Sequence, residues 1–341
     1  MRVKDRVLSH LLNHPGEVFS GQIIADQLEV SRNAVWKAIN ELRSEGYDIE
    51  SIHQKGYQLK QASTQLDDAQ IKLDLPETWN HLTVEIFDEV TSTNDLAKQF
   101  ITDKTNDSAL FVSTKQTKGR GRQGRPFYSE LDLGLYFSLV VQPKNIAPYE
   151  IPMYTIAAAT ALMQAMEDVF DIEPRIKWVN DLFYRGRKIS GILSEATTNL
   201  EDGAISSVVI GIGTNIAGSF EQTDADVSNV AGTIFDEIPA DLNLNKYLNR
   251  FLHHFATYHE DLSSKSFLPI YESHLLGLGQ EVTYTDRGIK REGVIEGIDD
   301  QGHLLVRKRD GVLQVLLGQD IHFSSKQFVN LEGEKNESKR N

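Results

Sequence analysis

The sequence predicts a multidomain α+β chain. It reads as an N-terminal winged helix-turn-helix, a central mixed-sheet α/β core and a small C-terminal β-barrel. Three observations carry this. Residues 1–60 hold three short apolar periodicities of helical spacing, then two alternating stretches. The middle of the chain alternates strand-like with helix-like segments. Beyond Gly277, short apolar stretches are separated by Asp286-Arg287-Gly288, Asp299-Asp300-Gln301-Gly302 and Arg309-Asp310-Gly311, turn signals at barrel spacing. A length of 341 residues suits two or three domains. The expected divisions are residues 1–65, 66–274 and 275–328, with a charged, disordered tail at 329–341.

Each element has a local cause. Val3, Val7 and Leu11 mark a first helix stopped by Pro15-Gly16. Ser20 can cap a second, with Ile24, Ala25 and Leu28 inward, and Glu29-Val30 turns the chain. Ser31 can cap a third, with Val35, Ile39 and Leu42 inward and Gly46 near its end. Its outer face carries Arg32, Asn33, Trp36, Lys37, Asn40 and Arg43, types that read base edges or grip phosphates, so it reads as a recognition helix. Tyr47–Ile52 and Tyr57–Leu59 flank a turn containing Lys55, which makes a β-hairpin wing. Gln61 to Asp68 reads as a linker. Core strands are expected at Thr83–Phe87, Ala109–Ser113, Leu133–Val141, Arg175–Trp178, Ile189–Glu195 and Ser206–Gly211, and helices at Ser92–Ile101, Ile151–Val169 and Leu244–Leu262.

Composition excludes several chemistries. There is no cysteine, which removes disulfides, thiolate metal sites and thiol nucleophiles. The net charge is −14, so any DNA contact must be a local patch. Residues 1–60 themselves balance eight Lys/Arg against eight Asp/Glu. No apolar run reaches membrane-span length and no signal peptide follows Met1, so a cytoplasmic location without membrane contact is expected. His253, His254 and His259 share a helix, but no carboxylate pattern accompanies them, and they read as surface or packing residues.

Four polar clusters fall at strand ends or turns of the core, where open sheets place ligand-binding groups. Thr91-Ser92-Thr93-Asn94 precedes a helix. Gln116 precedes Gly119-Arg120-Gly121-Arg122-Gln123-Gly124-Arg125, a loop whose glycines allow close backbone approach and whose guanidinium forks suit carboxylate and phosphate. Lys177-Trp178-Val179-Asn180-Asp181 leads to Lys188-Ile189-Ser190-Gly191, and Lys177 lies in an apolar strand where a cation needs an anionic partner. Gly211-Ile212-Gly213-Thr214-Asn215 lacks the final glycine of a dinucleotide fingerprint and reads as a Gly-rich turn beside a ligand. Neutral donors for a polar ring thus stand with a concentration of positive charge.

Taken together, these clusters resemble biotin protein ligases of the bifunctional ligase/repressor type. The resemblance covers nearly the whole chain, and the Gly/Arg loop paired with Lys-Trp-x-Asn-Asp is its most specific part. Val179, where many relatives carry proline, and Gln123, which removes one positive charge, depart from the pattern. The resemblance implies a class II synthetase-like core, an SH3-like C-terminal barrel and a two-step reaction: biotin and ATP give biotinyl-5′-AMP, and the acyl group then passes to a lysine of a biotin carboxyl carrier protein. It implies biotin contacts from Ser92, Thr93, Asn94, Gln116, Arg120, Gly121, Arg122 and Lys188. It implies adenylate contacts from Arg122, Arg125, Lys177, Asn180, Asp181, Gly191 and Asn215, with Arg122 and Lys188 catalytic. Mg2+ would arrive with ATP, Asp181 being the one protein group that could help hold it. The adenylate-bound chain would repress as a homodimer on a palindromic operator. Three other readings stay open. A lipoate ligase would share the core, a sensing transcription factor would not need so many cations, and a general nucleic-acid binder sits badly with the acidic charge.

Overall fold

The computed structural model describes residues 2–12, 14, 16–45, 47–61, 65–103, 107–129, 133–143, 146–198, 204–221, 223–317, 321–324 and 327–328. Pro15 and Gly46 as helix stops, and the tail 329–341, lie outside the described residues. The chain divides into two units, Met1–Leu75 with Ala240–Asn249, and Pro76–Pro239 with Arg250–Asn341.

The first unit starts with helices α1 (Val3–Leu12), α2 (Gly21–Gln27) and α3 (Arg32–Ser44). Ser20 Oγ accepts from Ile23 N at 3.1 Å and Ser31 Oγ from Ala34 N at 3.2 Å, so both serines cap as their sequence positions suggest. Glu29 takes the left-handed conformation (φ 51°) that the tight turn requires. Val7, Ile24, Val35, Ile39 and Leu42 meet in one core. Antiparallel strands β1 (Asp48–Ile52) and β2 (Gly56–Gln61) form the wing. The unit runs beyond the expected cut at residue 65. Helix α4 (Asp68–Ile71) is capped by Asp67 and buries Ile71, and Gln70 Nε2 donates to Tyr47 OH at 3.3 Å. A stretch that lacks periodicity in the sequence is thereby tied to the helical core.

The second unit contains β3 (Thr83–Phe87), α5 (Thr93–Asp103), β4 (Ala109–Ser113), β5 (Leu133–Val141), α6 (Ile151–Phe170), β6 (Arg175–Lys177), β7 (Asp181–Tyr184), β8 (Arg187–Thr198), β9 (Ile205–Ala217) and α7 (Ala225–Ser228). Helix α8 (Leu244–Glu260) starts in the first unit and ends in this one, and α9 (Leu268–Ser273) follows. The seven-stranded sheet has the order β3-β4-β5-β9-β8-β7-β6 and is mixed: β3 pairs parallel with β4, and the other neighbours are antiparallel. The almost wholly apolar α6 buries Ile156, Ala159, Leu162 and Met163 completely. His259, one of the three helical histidines, stacks on Trp79 at 5.9 Å and 8°, which agrees with a packing role.

The C-terminal part holds β10 (Glu281–Asp286), β11 (Ile289–Ile298), β12 (Leu304–Arg307), β13 (Leu313–Leu316) and β14 (Ile321–Phe323), an antiparallel sheet of order β13-β12-β11-β10-β14. The expected division at 274/275 falls inside one unit. Hydrogen bonds across it explain why: Ile298 N donates to Glu272 Oε1 at 3.0 Å, Trp178 Nε1 to Gly302 O at 2.9 Å and Leu276 N to Ile176 O at 2.9 Å. Among the described residues no helix is long and apolar enough to cross a membrane.

Candidate active site and recognition helix

A cleft of about 870 Å³ gathers most of the predicted polar clusters. It is lined by Ser92, Thr93 and Asn94 at the start of α5, Gln116 after β4, Arg120, Gly121, Arg122 and Arg125 of the Gly/Arg loop, Lys177, Asn180 and Asp181 around the β6–β7 turn, and Lys188 and Gly191 on β8. Asn215 is the exception. It is buried on β9 outside the lining, where its Nδ2 donates to Gly232 O at 2.9 Å, tying β9 to the segment that brings Val230 to the cleft. Sequence reasoning missed Phe127, Trp178 and Val230, and from the C-terminal sheet Arg287, Ile321, Phe323 and Ser324. Phe127 lies two residues beyond the Gly/Arg run and Trp178 inside the Lys177-to-Asp181 motif, so the places of these two were readable.

At the neutral end, Gln116 Oε1 accepts from Thr93 N at 2.8 Å. Ser138 Oγ on β5 lies 2.8 Å from Thr93 Oγ1 and 2.6 Å from Asn94 Oδ1. The expected Gly-rich turn at 211–215 is instead the middle of β9. Its glycines serve approach rather than turning. A Cβ at Gly211 would fall 1.9 Å from Asn94 Oδ1, and one at Gly213 2.8 Å from the Phe127 ring. The strand loses its side chains where a helix amide and an aromatic ring press against it.

At the charged end, Lys188 Nζ meets Asp181 Oδ1 at 2.6 Å, and Arg120 Nη2 meets Asp95 Oδ2 at 2.9 Å. Asn180 and Ile192 exchange two hydrogen bonds, Asn180 Nδ2 to Ile192 O at 2.8 Å and Ile192 N to Asn180 O at 2.9 Å, which fixes the turn against β8. Arg122 Nη1 reaches Asn180 Oδ1 at 3.5 Å from an exposed position. Buried Lys177 donates to Phe323 O at 3.0 Å, and burial pushes its pKa down to about 8. The Trp178–Val179 peptide is cis. Among the described residues no group of three or more His, Asp and Glu could hold a metal, and Asp181 is engaged by Lys188.

In the first unit, Arg32, Asn33, Trp36 and Lys37 are exposed on α3, Asn40 is partly so, and Lys55 is exposed in the wing turn. Arg43 differs. Its Nε donates to Ile49 O at 2.7 Å and its Nη2 to Ser51 Oγ at 2.8 Å, so it braces the wing.

Comparison with known proteins agrees with this layout. Residues 86–215 match the biotin/lipoate A/B protein ligase family, residues 4–58 an HTH domain, and residues 277–323 the biotin protein ligase C-terminal domain. The chain is 32% identical over 312 residues to the bifunctional ligase/repressor BirA of Bacillus subtilis (strain 168), covering 90% of this chain and 95% of that protein. The chain belongs to the bifunctional biotin ligase/repressor family. The counterpart from Bacillus spizizenii is likewise 32% identical, over 314 residues, with the same two coverages. Among solved structures, the biotin protein ligase from Aquifex aeolicus in complex with biotin and ATP aligns with a TM-score of 0.58 at 26% identity, covering 71% of this chain and 99% of that one. This ligase/repressor therefore carries the ligase domains of its family together with an HTH domain.

Proposed function

We propose that the cleft joins biotin to a carrier lysine through an acyl-adenylate. The observation that carries this is the cleft's division. One end has the neutral groups of Ser92, Thr93, Asn94 and Gln116, suited to a ureido ring, and the other has Arg120, Arg122, Arg125, Lys177 and Lys188. A carboxylate is a poor electrophile in neutral water, so activation must come first. A carboxylate oxygen of biotin attacks the α-phosphorus of ATP, the bond to the bridging oxygen breaks, and pyrophosphate leaves. The carrier's lysine amine then attacks the acyl carbon; the amide forms, AMP departs, and the amine loses its proton. Both steps build negative charge near phosphorus. Lys188 and Arg122 meet it at the reacting oxygens, while Arg125, Lys177, Asn180 and Asp181 line the nucleotide side. Magnesium enters with the nucleotide and shares its charge.

With the adenylate bound, a homodimer presents two copies of α3 to a palindromic operator. Arg32, Asn33, Trp36, Lys37 and Asn40 face the groove, and Lys55 contacts the backbone beside it.

Mass spectrometry of the chain incubated with MgATP and biotin, and in parallel with lipoate, tests the ligase reading. A retained biotinyl-5′-AMP is the expected result. Retention of lipoyl-AMP alone, or of no adenylate, overturns it.

A further inference from the structure

The neutral end of the cleft is backed by a carboxylate that neither its motif nor the lining singles out. Glu195 sits on β8, with Oε2 accepting from Asn94 Nδ2 at 2.8 Å and Oε1 from Lys98 Nζ at 2.7 Å. Lys98 lies on α5 one turn beyond Asn94, so the helix presents both partners to the same carboxylate. Gly211 on the neighbouring strand leaves the space that Asn94 Oδ1 fills.

We propose that Glu195 is a positioning residue that sets the hydrogen-bond polarity of the ring pocket through Asn94, Ser138 and Thr93. The inference rests on the biotin reading above. An ionised carboxylate only accepts, so Asn94 must turn its Nδ2 toward Glu195 and its Oδ1 toward Ser138. That amide oxygen also only accepts, so the single proton of Ser138 Oγ goes to it across 2.6 Å. Thr93 Oγ1 accepts from the same Ser138 hydroxyl at 2.8 Å, so Ser138 turns its proton toward Asn94 and Thr93 together. Thr93 Oγ1 in turn donates its own proton to Gln116 Oε1 at 3.3 Å, an amide oxygen that only accepts.

Two consequences reach the ligand. Thr93 Oγ1 offers only lone pairs to the cleft. Gln116, whose Oε1 is engaged by Thr93 N, offers its Nε2 donors. A cyclic urea supplies an N–H and a C=O side by side and satisfies both. A cyclic carbamate, with one ring N–H replaced by oxygen, would set lone pairs against lone pairs. Ser138 is fully buried and Thr93 is 3% exposed, so little water is at hand to relieve the mismatch.

The test measures biotin-dependent pyrophosphate exchange in the full chain, with biotin and with the two cyclic-carbamate analogues that each lack one ring N–H. Wild type should disfavour one of the two by on the order of a hundredfold or more in kcat/KM. Glu195→Ala and Ser138→Ala should each shrink that preference at least ~10-fold, and Glu195→Ala should raise the KM for biotin by a similar factor with the KM for ATP nearly unchanged. Glu195→Gln, whose side-chain oxygen can still accept from Asn94, should keep most of the preference. The inference alone is overturned by wild-type exchange with biotin combined with full preference in Glu195→Ala. A lower melting temperature with a parallel rise in both KM values in that variant overturns it too, since that is a merely structural role. No exchange with biotin in the wild type overturns the ligand reading, and this inference with it.

Discussion

Lys188 and Asp181 form a 2.6 Å ion pair between neighbouring strands, with both side chains partly buried. The pairing aims a flexible ammonium into the cleft before any substrate arrives. Lys188→Ala should slow adenylate formation by about a hundredfold or more, the scale of losing one charge-stabilising donor. Asp181→Asn keeps the shape but frees the ammonium, and should slow the same step by roughly tenfold with the KM for biotin little changed. Single-turnover adenylation measures both. Equal rates in Asp181→Asn and wild type would show that the pair does not aim Lys188.

Lys177 titrates near pH 8 in the folded chain because burial disfavours its charge, while in the unfolded chain it keeps the ordinary value of 10.5. Between these values the unfolded chain binds the extra proton, so this group makes stability rise with pH. Its penalty is fully present below about 8 and fades toward 10.5. Lys177→Met lacks the effect. Urea melts from pH 7 to 10 should show wild type gaining stability relative to the variant above pH 8, and a constant difference would contradict the assignment.

Arg122 stands exposed in the short turn Arg122–Gly124, reaching Asn180 at 3.5 Å. Such a side chain can close over a newly formed adenylate and shield it from water. Arg122→Gly should therefore release biotinyl-5′-AMP and label bystander lysines. Streptavidin blots of mixed bystander proteins give the readout, with labelling no greater than wild type as the failing outcome.

Asn245 and Asn249, at the start of α8, hold the segment after the wing. Asn245 Nδ2 donates to Gln65 O at 2.7 Å, and Asn249 Nδ2 donates to Leu73 O at 2.7 Å. Deleting residues 1–64 should abolish operator binding and leave much of the ligase activity. Deleting residues 1–75 also removes these partners and should cost a further ~0.5–1.5 kcal/mol for each hydrogen bond lost. Gel shifts at moderate salt and thermal melts separate the two effects, and equal melting temperatures would rule out this role for the two asparagines.

The elements whose cause is local were legible in the sequence. Ser20 and Ser31 announce their helices, and the alternation around Lys55 announces the wing. What stayed hidden depends on partners far along the chain. Asp67–Ile71 has no period of its own and is ordered by Tyr47 and α8. Gly211 and Gly213 look like turn residues until Asn94 and Phe127 arrive beside them. Arg43 has the type and spacing of a DNA contact, yet it also braces the wing by giving its Nε to Ile49 and an Nη2 donor to Ser51. The cleft lining was readable wherever motif residues supply it. Arg287, Ile321 and Phe323 reach it only through the docking of the C-terminal sheet, which no short pattern records.

That docking has a consequence for how the molecule is made. Synthesis proceeds from the amino end, and domains fold as they emerge. The wall formed by Ile321, Phe323 and Ser324, with the carbonyl that receives Lys177, follows every other cleft-lining residue in chain order and leaves the ribosome after them. Until that stretch has emerged and docked, the cleft built around Lys177, Asn180 and Lys188 lacks one wall.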